Sequence, residues 1–254
     1  MSKRTLLMLF LIVVLGAAST VFAITNGQPD GNNHPYVGLA HNFEFACSGA
    51  AITPTVFVTA AHCFGFSGEP VVVTFDPDGL FAANPVFHSG TWYPDPNWCI
   101  GCGPGLPGFD THDWAVIVFD QPVALDRYAS LPYAGVVDSL PMNTAIDLVG
   151  YGVQWDTGGG PPVPEGLFTR YYAATELIAS NHVHSAEFIK LRANPSQGSG
   201  GTCFGDSGGP NLLAGTDMIL AVNSYVTNGQ CAGVTYSNRI DRADALAFIE
   251  SYLP

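Results

Sequence analysis

TCFGDSGGP, residues 202–210, packs one serine, one carboxylate and three glycines into nine positions. A stretch this rich in glycine reads first as a turn. It reads equally as a place where backbone must approach something closely while a serine is presented to it. The rest of the chain decides between the two.

A serine hydroxyl is a poor nucleophile at neutral pH. It needs a base, the base needs an orienting acid, and the oxyanion that develops needs hydrogen-bond donors. The base candidate is His62 in VTAAHC (58–63), where small residues precede the imidazole and a cysteine follows. The acid candidate is Asp113 in HDWAVIVF (112–119), directly before a strongly apolar strand. That position favours a semi-buried carboxylate kept ionised by hydrogen bonds. Taken singly, each piece is as well read as a turn, a structural histidine or a strand cap. Their order, His62, Asp113, Ser207, makes coincidence a poor account of all three.

The surroundings are those of an all-β chain. Charged residues are 11% of the 254, hydrophobic residues 47%, and there are 29 Gly and 19 Pro. This mix predicts short strands joined by turns and argues against disorder. Apolar or β-branched runs place strands at 36–40, 49–53, 56–59, 71–75, 114–119, 145–149, 167–173, 187–192, 211–213, 218–224 and 234–238. One helix is expected, over about 238–253, with Asp241, Ala245, Phe248, Ile249 and Tyr252 on helical spacing. Ser237 or Asn238 would cap it. The loops 92–110 and 154–166 read as surface excursions.

The first residues stand apart. A cationic MSKR, an apolar run over 6–18 and VFA at 21–23 predict a secretory signal peptide, residues 1–23. An uncleaved anchor is the alternative. Cleavage after Ala23 removes Lys3 and Arg4 and no acid, taking the formal charge from −13 to −15. Such a surface repels nucleic acid and anionic lipid. Neither nucleic acid nor, after cleavage, a membrane is therefore expected as a partner. The six cysteines, an even count in a secreted chain, imply disulfides.

Together TAAHC, HDWAVIVF and GDSGGP resemble the secreted trypsin-like, chymotrypsin-fold serine proteases. ITNGQPDGNNHPYVGLA (24–40), the Gly150-Tyr151-Gly152 turn and Ser224-Tyr225-Val226 add to the likeness, which spans nearly the whole mature chain. The resemblance implies two packed six-stranded antiparallel Greek-key β-barrels (about 24–130 and 131–237) and a C-terminal α-helix. It implies a triad of His62, Asp113 and Ser207, an oxyanion hole at the N–H groups of Gly205 and Ser207, and Ser224 supporting Asp113.

It further implies an activation ion pair between a free Ile24 amine and Asp206. No propeptide is apparent, so signal cleavage itself would free Ile24. Thr25-Asn26 departs from the usual Val-Gly there. Disulfides Cys47–Cys63 and Cys203–Cys231 follow from the same likeness. Cys99 and Cys102 match no common bridge of the family; a small local disulfide is preferred over a redox or metal site.

The same resemblance implies a pocket with Gly201 and Thr202 at its floor, Ser224, Tyr225 and Val226 on one wall, and Gly233. With no carboxylate at the floor, cleavage after Arg or Lys is not expected. Val226 favours small or medium apolar P1 residues, with aromatic P1 as the alternative. No cofactor or metal is expected. Asp76-Pro77-Asp78-Gly79 reads as a plain turn, with a cation site as the alternative, and His182 and His184, whose spacing a metal could use, as surface residues. A secreted (extracellular or periplasmic) monomeric endopeptidase acting on protein or peptide substrates, open to protein inhibitors, is the leading reading. A catalytically silent binding protein and an esterase with the same triad stay open.

Overall fold

The structure is a computed structural model, and it describes residues 23–102, 110–153, 168–179, 186–194 and 197–254. Residues 1–22 of the expected signal peptide, residues 103–109 of the loop at 92–110, the whole loop at 154–166, and His182 and His184 lie outside it.

A two-residue strand, β1 (Gln28–Pro29), precedes two barrels. The first is built from β2 (Val37–His41), β3 (Ala46–Ala51), β4 (Val56–Thr59), β5 (Glu69–Thr74), β6 (His88–Pro94) and β7 (Ala115–Phe119). These close in the order β2-β3-β4-β7-β6-β5. The second uses β8 (Ala145–Gly150), β9 (Tyr171–Ala179), β10 (Phe188–Ala193), β11 (Pro210–Leu213), β12 (Ile219–Val226) and β13 (Gly233–Arg239). Pairing of β9 with β8 closes the ring β8-β9-β10-β13-β12-β11, and β1 adds to the outer side of β9. Every pairing within the two rings is antiparallel, so both barrels have the same strand order.

Each ring fills with the inward members of its strands. Leu39, Phe57, Val73, Trp92 and Ile117 are buried in the first. Ile146, Leu148, Leu177, Ile189, Leu191 and Leu220 are buried in the second. At about 1.5–3 kcal/mol per buried large apolar side chain, these layers dominate the favourable side of folding. Residues 24–29 side with the second barrel. Ile24 is fully buried in its core, Thr25 bridges Gly201, and β1 pairs with β9.

The strand at β6 carries no signal that the sequence reading caught. His88, Gly90 and Pro94 punctuate it like a turn. In three dimensions Gly90 is required by β7, since a Cβ there would lie 2.8 Å from both Ile117 Cγ2 and Val118 O. The second barrel's β9 runs later than the expected 167–173. Arg170, just ahead of it, is instead drawn inward between the barrels.

Two short helices complete the chain, α1 (Val136–Ser139) and α2 (Ala243–Glu250). The terminal helix is shorter than the expected 238–253, and Ser237 and Asn238 do not cap it. Both are buried in β13, where they pair with β10 and β12. Asp241 likewise stays outside the helix, its carboxylate held by Arg239 at 2.8 and 2.9 Å. Arg242 is the N-cap and makes no side-chain cap bond. The helix returns to the first barrel, where Ala245 and Ile249 join its core and Tyr252 stacks on Tyr93. No helix among the described residues is long and apolar enough to cross a membrane.

The barrels meet through apolar packing, with Val149, Leu212, Ile219 and Val222 of the second continuing the core of the first, and through a buried polar cluster. Arg170 is fully buried, and its Nε donates to Asp30 Oδ2 at 2.9 Å. Its Nη1 donates to Val37 O, Phe75 O and Tyr151 Oη, and its Nη2 to Gly31 O. Tyr151 Oη donates in turn to Asp76 O at 3.0 Å. Burial pushes the Asp30 carboxyl up, but the bond and charge of His34 and the charge of Arg170 outweigh it and hold it below the usual range. Removing one partner of such a pair strands the other charge in the interior. Arg170→Met is expected to lower unfolding stability by about 3–5 kcal/mol in denaturant titrations. Adding Asp30→Asn is expected to restore part of the loss. Equal stability of the single variant and the parent would show the clamp to be dispensable.

Candidate active site

His62 sits in a single 3₁₀ turn, Ala61–Cys63, directly after β4. The Cys47–Cys63 disulfide ties that turn to β3. Asp113 lies just ahead of β7, which pairs with β4, so adjacent strands of one barrel deliver base and acid side by side. His62 Nδ1 meets Asp113 Oδ2 at 2.7 Å, and the His62 backbone N–H donates to Oδ1 at 2.9 Å. Ser224 Oγ, from β12 of the other barrel, donates to the same Oδ2.

Asp113 is fully buried. Burial pushes its carboxyl up, but the charge and hydrogen bonds of His62 and the bond from Ser224 win, so it is held below the usual range. Burial pushes the His62 imidazole down. The Asp113 charge and hydrogen bond, with a smaller contribution from Asp110, more than reverse this, and its basicity is raised above the ordinary histidine value. The dyad is thus an ionised acid and a strengthened base.

Ser207 comes from the second barrel, in the loop that leads into β11. The loop is braced throughout. Asn223 on β12 donates through Nδ2 to Asp206 O at 3.0 Å, and its own carbonyl accepts from Gly208 N–H at 2.8 Å. Gly208 has φ +75°, and a Cβ there would lie 2.2 Å from Thr59 Oγ1 and 2.6 Å from Ser48 O. Only glycine lets the nucleophile loop press this closely on the first barrel. The disulfide Cys203–Cys231 anchors the start of the loop to the stretch before β13.

His62 and Ser207 line one cleft of about 570 Å³. Among the described residues no hydrogen bond joins them, as is common before substrate binds. The Gly205 and Ser207 N–H groups donate to no acceptor among the described residues. The cleft wall includes Thr202, Ser224, Tyr225 and Val226, together with Phe204 and Asn228. Gly201 and Gly233 do not line it. Gly201 is instead held against Thr25 and packs on Ala193. None of the described lining residues is acidic.

Asp206 is fully buried, and its neighbours are backbone. Gly152 N–H and Cys203 N–H each donate to it at 2.8 Å. The turn Gly150-Tyr151-Gly152 makes room for it, since a Cβ at 150 would fall 2.2 Å from Oδ1. Burial pushes this carboxyl up to about 7, against the pull of those two N–H groups. Ile24 is still joined to Ala23 here, so no free amine faces Asp206.

Cys99–Cys102 is a disulfide at the base of the loop over 92–110, where Cys99 bridges Thr111. Cys47, His62 and Cys63 lie together, but both thiols are spent in the disulfide and offer no metal ligand. Asp78 N–H bonds Asp76 Oδ1 and Gly79 N–H bonds Asp76 O, a plain turn at 76–79. Sequence reasoning missed Asn223, Ser48 and Asn238, whose Nδ2 steadies Ser224 Oγ at 3.1 Å. Nothing local marks them; their partners are far off in the chain.

Comparison with known proteins agrees with this architecture. A structure of HL collagenase aligns with a TM-score of 0.69 at 18% identity, over 90% of this chain and 97% of that one. The atomic-resolution structure of HBP aligns at 0.69 and 18%, over 90% and 96%. A mutant of human heparin binding protein (CAP37) aligns at 0.69 and 16%, over 91% and 98%. At such identities the likeness speaks for the fold. The sequence profile of the trypsin family matches residues 24–245, and with that match over most of its length the chain belongs to the trypsin family.

Proposed function

We propose that this chain is a secreted serine endopeptidase that hydrolyses peptide bonds through an acyl-enzyme. The carrying observation is the buried, ionised Asp113 fastened to His62, with Ser207 on the same cleft beside two unclaimed backbone N–H groups. In this reading Ser207 Oγ attacks the scissile carbonyl carbon while its proton passes to His62 Nε2. The carbonyl π pair moves onto oxygen, which the N–H groups of Gly205 and Ser207 receive. The pair returns, the C–N bond breaks, and His62 gives the proton to the leaving amine. Water then repeats the sequence on the acyl-enzyme, releasing the acid and restoring the hydroxyl. Asp113 holds the imidazole in the tautomer with Nδ1–H and stabilises the imidazolium.

The specificity proposed is for small or medium apolar P1 residues. An acid-free cleft with Val226 on its wall supports it. The disulfides fit an oxidising compartment. Protein substrates, protein inhibitors and a monomeric state belong to the same proposal. So does activation, in which cleavage after Ala23 frees the Ile24 amine to pair with Asp206. Retention of His62, Asp113 and Ser207 together speaks against a silent binding protein.

The decisive test is covalent labelling of the mature chain with a fluorophosphonate. Ser207 is expected to be the modified residue, and Ser207→Ala is expected to lose labelling and about 10⁴-fold or more of casein hydrolysis. An unlabelled parent chain would sink the proposal, and labelling without casein or peptide cleavage would turn it towards an esterase.

The pH profile carries a second test. His62 must be neutral to act as base, and its basicity is raised, so the acid limb of kcat/KM is expected above the ordinary histidine value of about 6.5. Asp113→Asn removes the charge responsible. Its limb is expected to move to lower pH, with a loss of about 10⁴-fold in kcat.

Asp206 supplies a third. In the uncut chain its folded-state pKa lies above the unfolded one. Stability is then greatest below the usual carboxylate range and falls as pH rises through about 7. Melts of the uncut chain between about pH 4 and about pH 8 are expected to show Tm falling with pH, and Asp206→Asn to remove that slope. A chain beginning at Ile24 is expected to lose that slope, because the ammonium keeps the carboxylate ionised across this window. Matching slopes in the cut and uncut chains would rule out the ion pair.

A further inference from the structure

Ser48 is a fully buried residue of β3, in the first barrel. Its hydroxyl bonds outside that barrel. Oγ donates to Gly205 O at 2.9 Å and accepts from Tyr151 N–H at 2.8 Å, both in the second barrel. Its backbone N–H donates to Ser207 O at 2.8 Å, and its carbonyl accepts from Thr59 Oγ1 at 2.8 Å. One residue thus grips the carbonyls on either side of Asp206 and the turn whose next N–H, Gly152, holds the Asp206 carboxylate.

The peptide between Gly205 and Asp206 is held at both ends. Its oxygen is on Ser48 Oγ, and its N–H donates to Cys203 O at 3.0 Å. A planar peptide fixed at both ends has a fixed orientation. Gly205 itself, at φ +95°, has no side chain to hold it and a wide choice of conformations. Its N–H belongs to the preceding peptide, whose oxygen, Phe204 O, accepts from Val153 N–H at 2.7 Å, and Ser48 holds the peptide that follows, so the two bonds together fix the turn at Gly205 and the direction of its N–H. A buried hydroxyl is costly unless its bonds are made, and here they are made to the catalytic loop and its supporting turn.

We propose that Ser48 is a positioning residue for the oxyanion site, its hydroxyl setting the aim of the Gly205 N–H from across the barrel seam. The inference rests on the endopeptidase reading above. It ties the donors that receive negative charge in the second barrel to the strand beside the His62 turn in the first.

The test uses the mature chain with Ser48→Ala, and with Ser48→Gly as a variant that adds no bulk. Active sites are counted by end-point fluorophosphonate labelling, so misfolded molecules drop out of the rate. On a peptide amide substrate, kcat per labelled site is expected to fall about tenfold or more, short of the 10²–10³-fold cost of deleting a donor outright. KM is expected to stay within about twofold, because the hydroxyl acts on the transition state. Affinity for a peptide aldehyde, which forms a tetrahedral adduct, is expected to fall in step with kcat/KM. A labelled parent with unchanged kcat per site in both variants overturns the role of Ser48 alone, as does a rise in KM without a fall in kcat. A parent that does not label at Ser207 sinks the endopeptidase reading and this inference with it.

Discussion

The cleft depends on one carboxylate staying charged where water does not reach it. Asp113 is fully enclosed, and an isolated charge there would take up a proton. Three donors prevent that: the imidazole and backbone N–H of His62, and the hydroxyl of Ser224. The first two belong to the same barrel as Asp113 and the third to the other. The ionisation state of the acid, and through it the strength of the base, is therefore a product of both barrels and of their seam.

That seam is polar where it has to be specific. Apolar packing would bring the barrels together in many orientations. Arg170, with its fixed fork of donors, accepts few, because Asp30, Val37 O, Phe75 O, Gly31 O and Tyr151 Oη must all be reached at once. Tyr151 carries the constraint onward. Its ring end answers to Arg170, and its backbone N–H answers to Ser48, a short step from the nucleophile loop. Asp206 is the counter-example, a buried acid served only by backbone among the described residues. The strain shows in its raised affinity for protons.

The parts legible in the sequence are those whose physics is local. Continuous apolar, β-branched runs such as VFVT at 56–59 and AVIVF at 115–119 declare strands buried on both faces. The three residues of the proposed triad stand out because each sits in a short, chemically distinctive context. Where the deciding partner is far away, the reading failed. Gly90 looks like punctuation until Ile117 is laid over it, and Asn238 looks like a helix cap until β10 and β12 claim it. Asn223 and Ser48 are ordinary polar residues in the sequence, and only the loop brought over them gives them work. Gly201 and Gly233, assigned to the pocket by the family resemblance, do not line the described cleft; Gly201 bridges Thr25 and Gly233 opens β13.

The repeated strand order has its own consequence. Each six-stranded ring closes on itself, so every ring strand has a partner on both sides. The halves are nevertheless unequal chemically: His62 and Asp113 belong to one, Ser207 to the other. Neither half holds a working set, and the parts meet only when two finished cylinders dock. On the proposed reading, a chain with only one barrel formed would hold no complete triad and would leave its neighbours uncut.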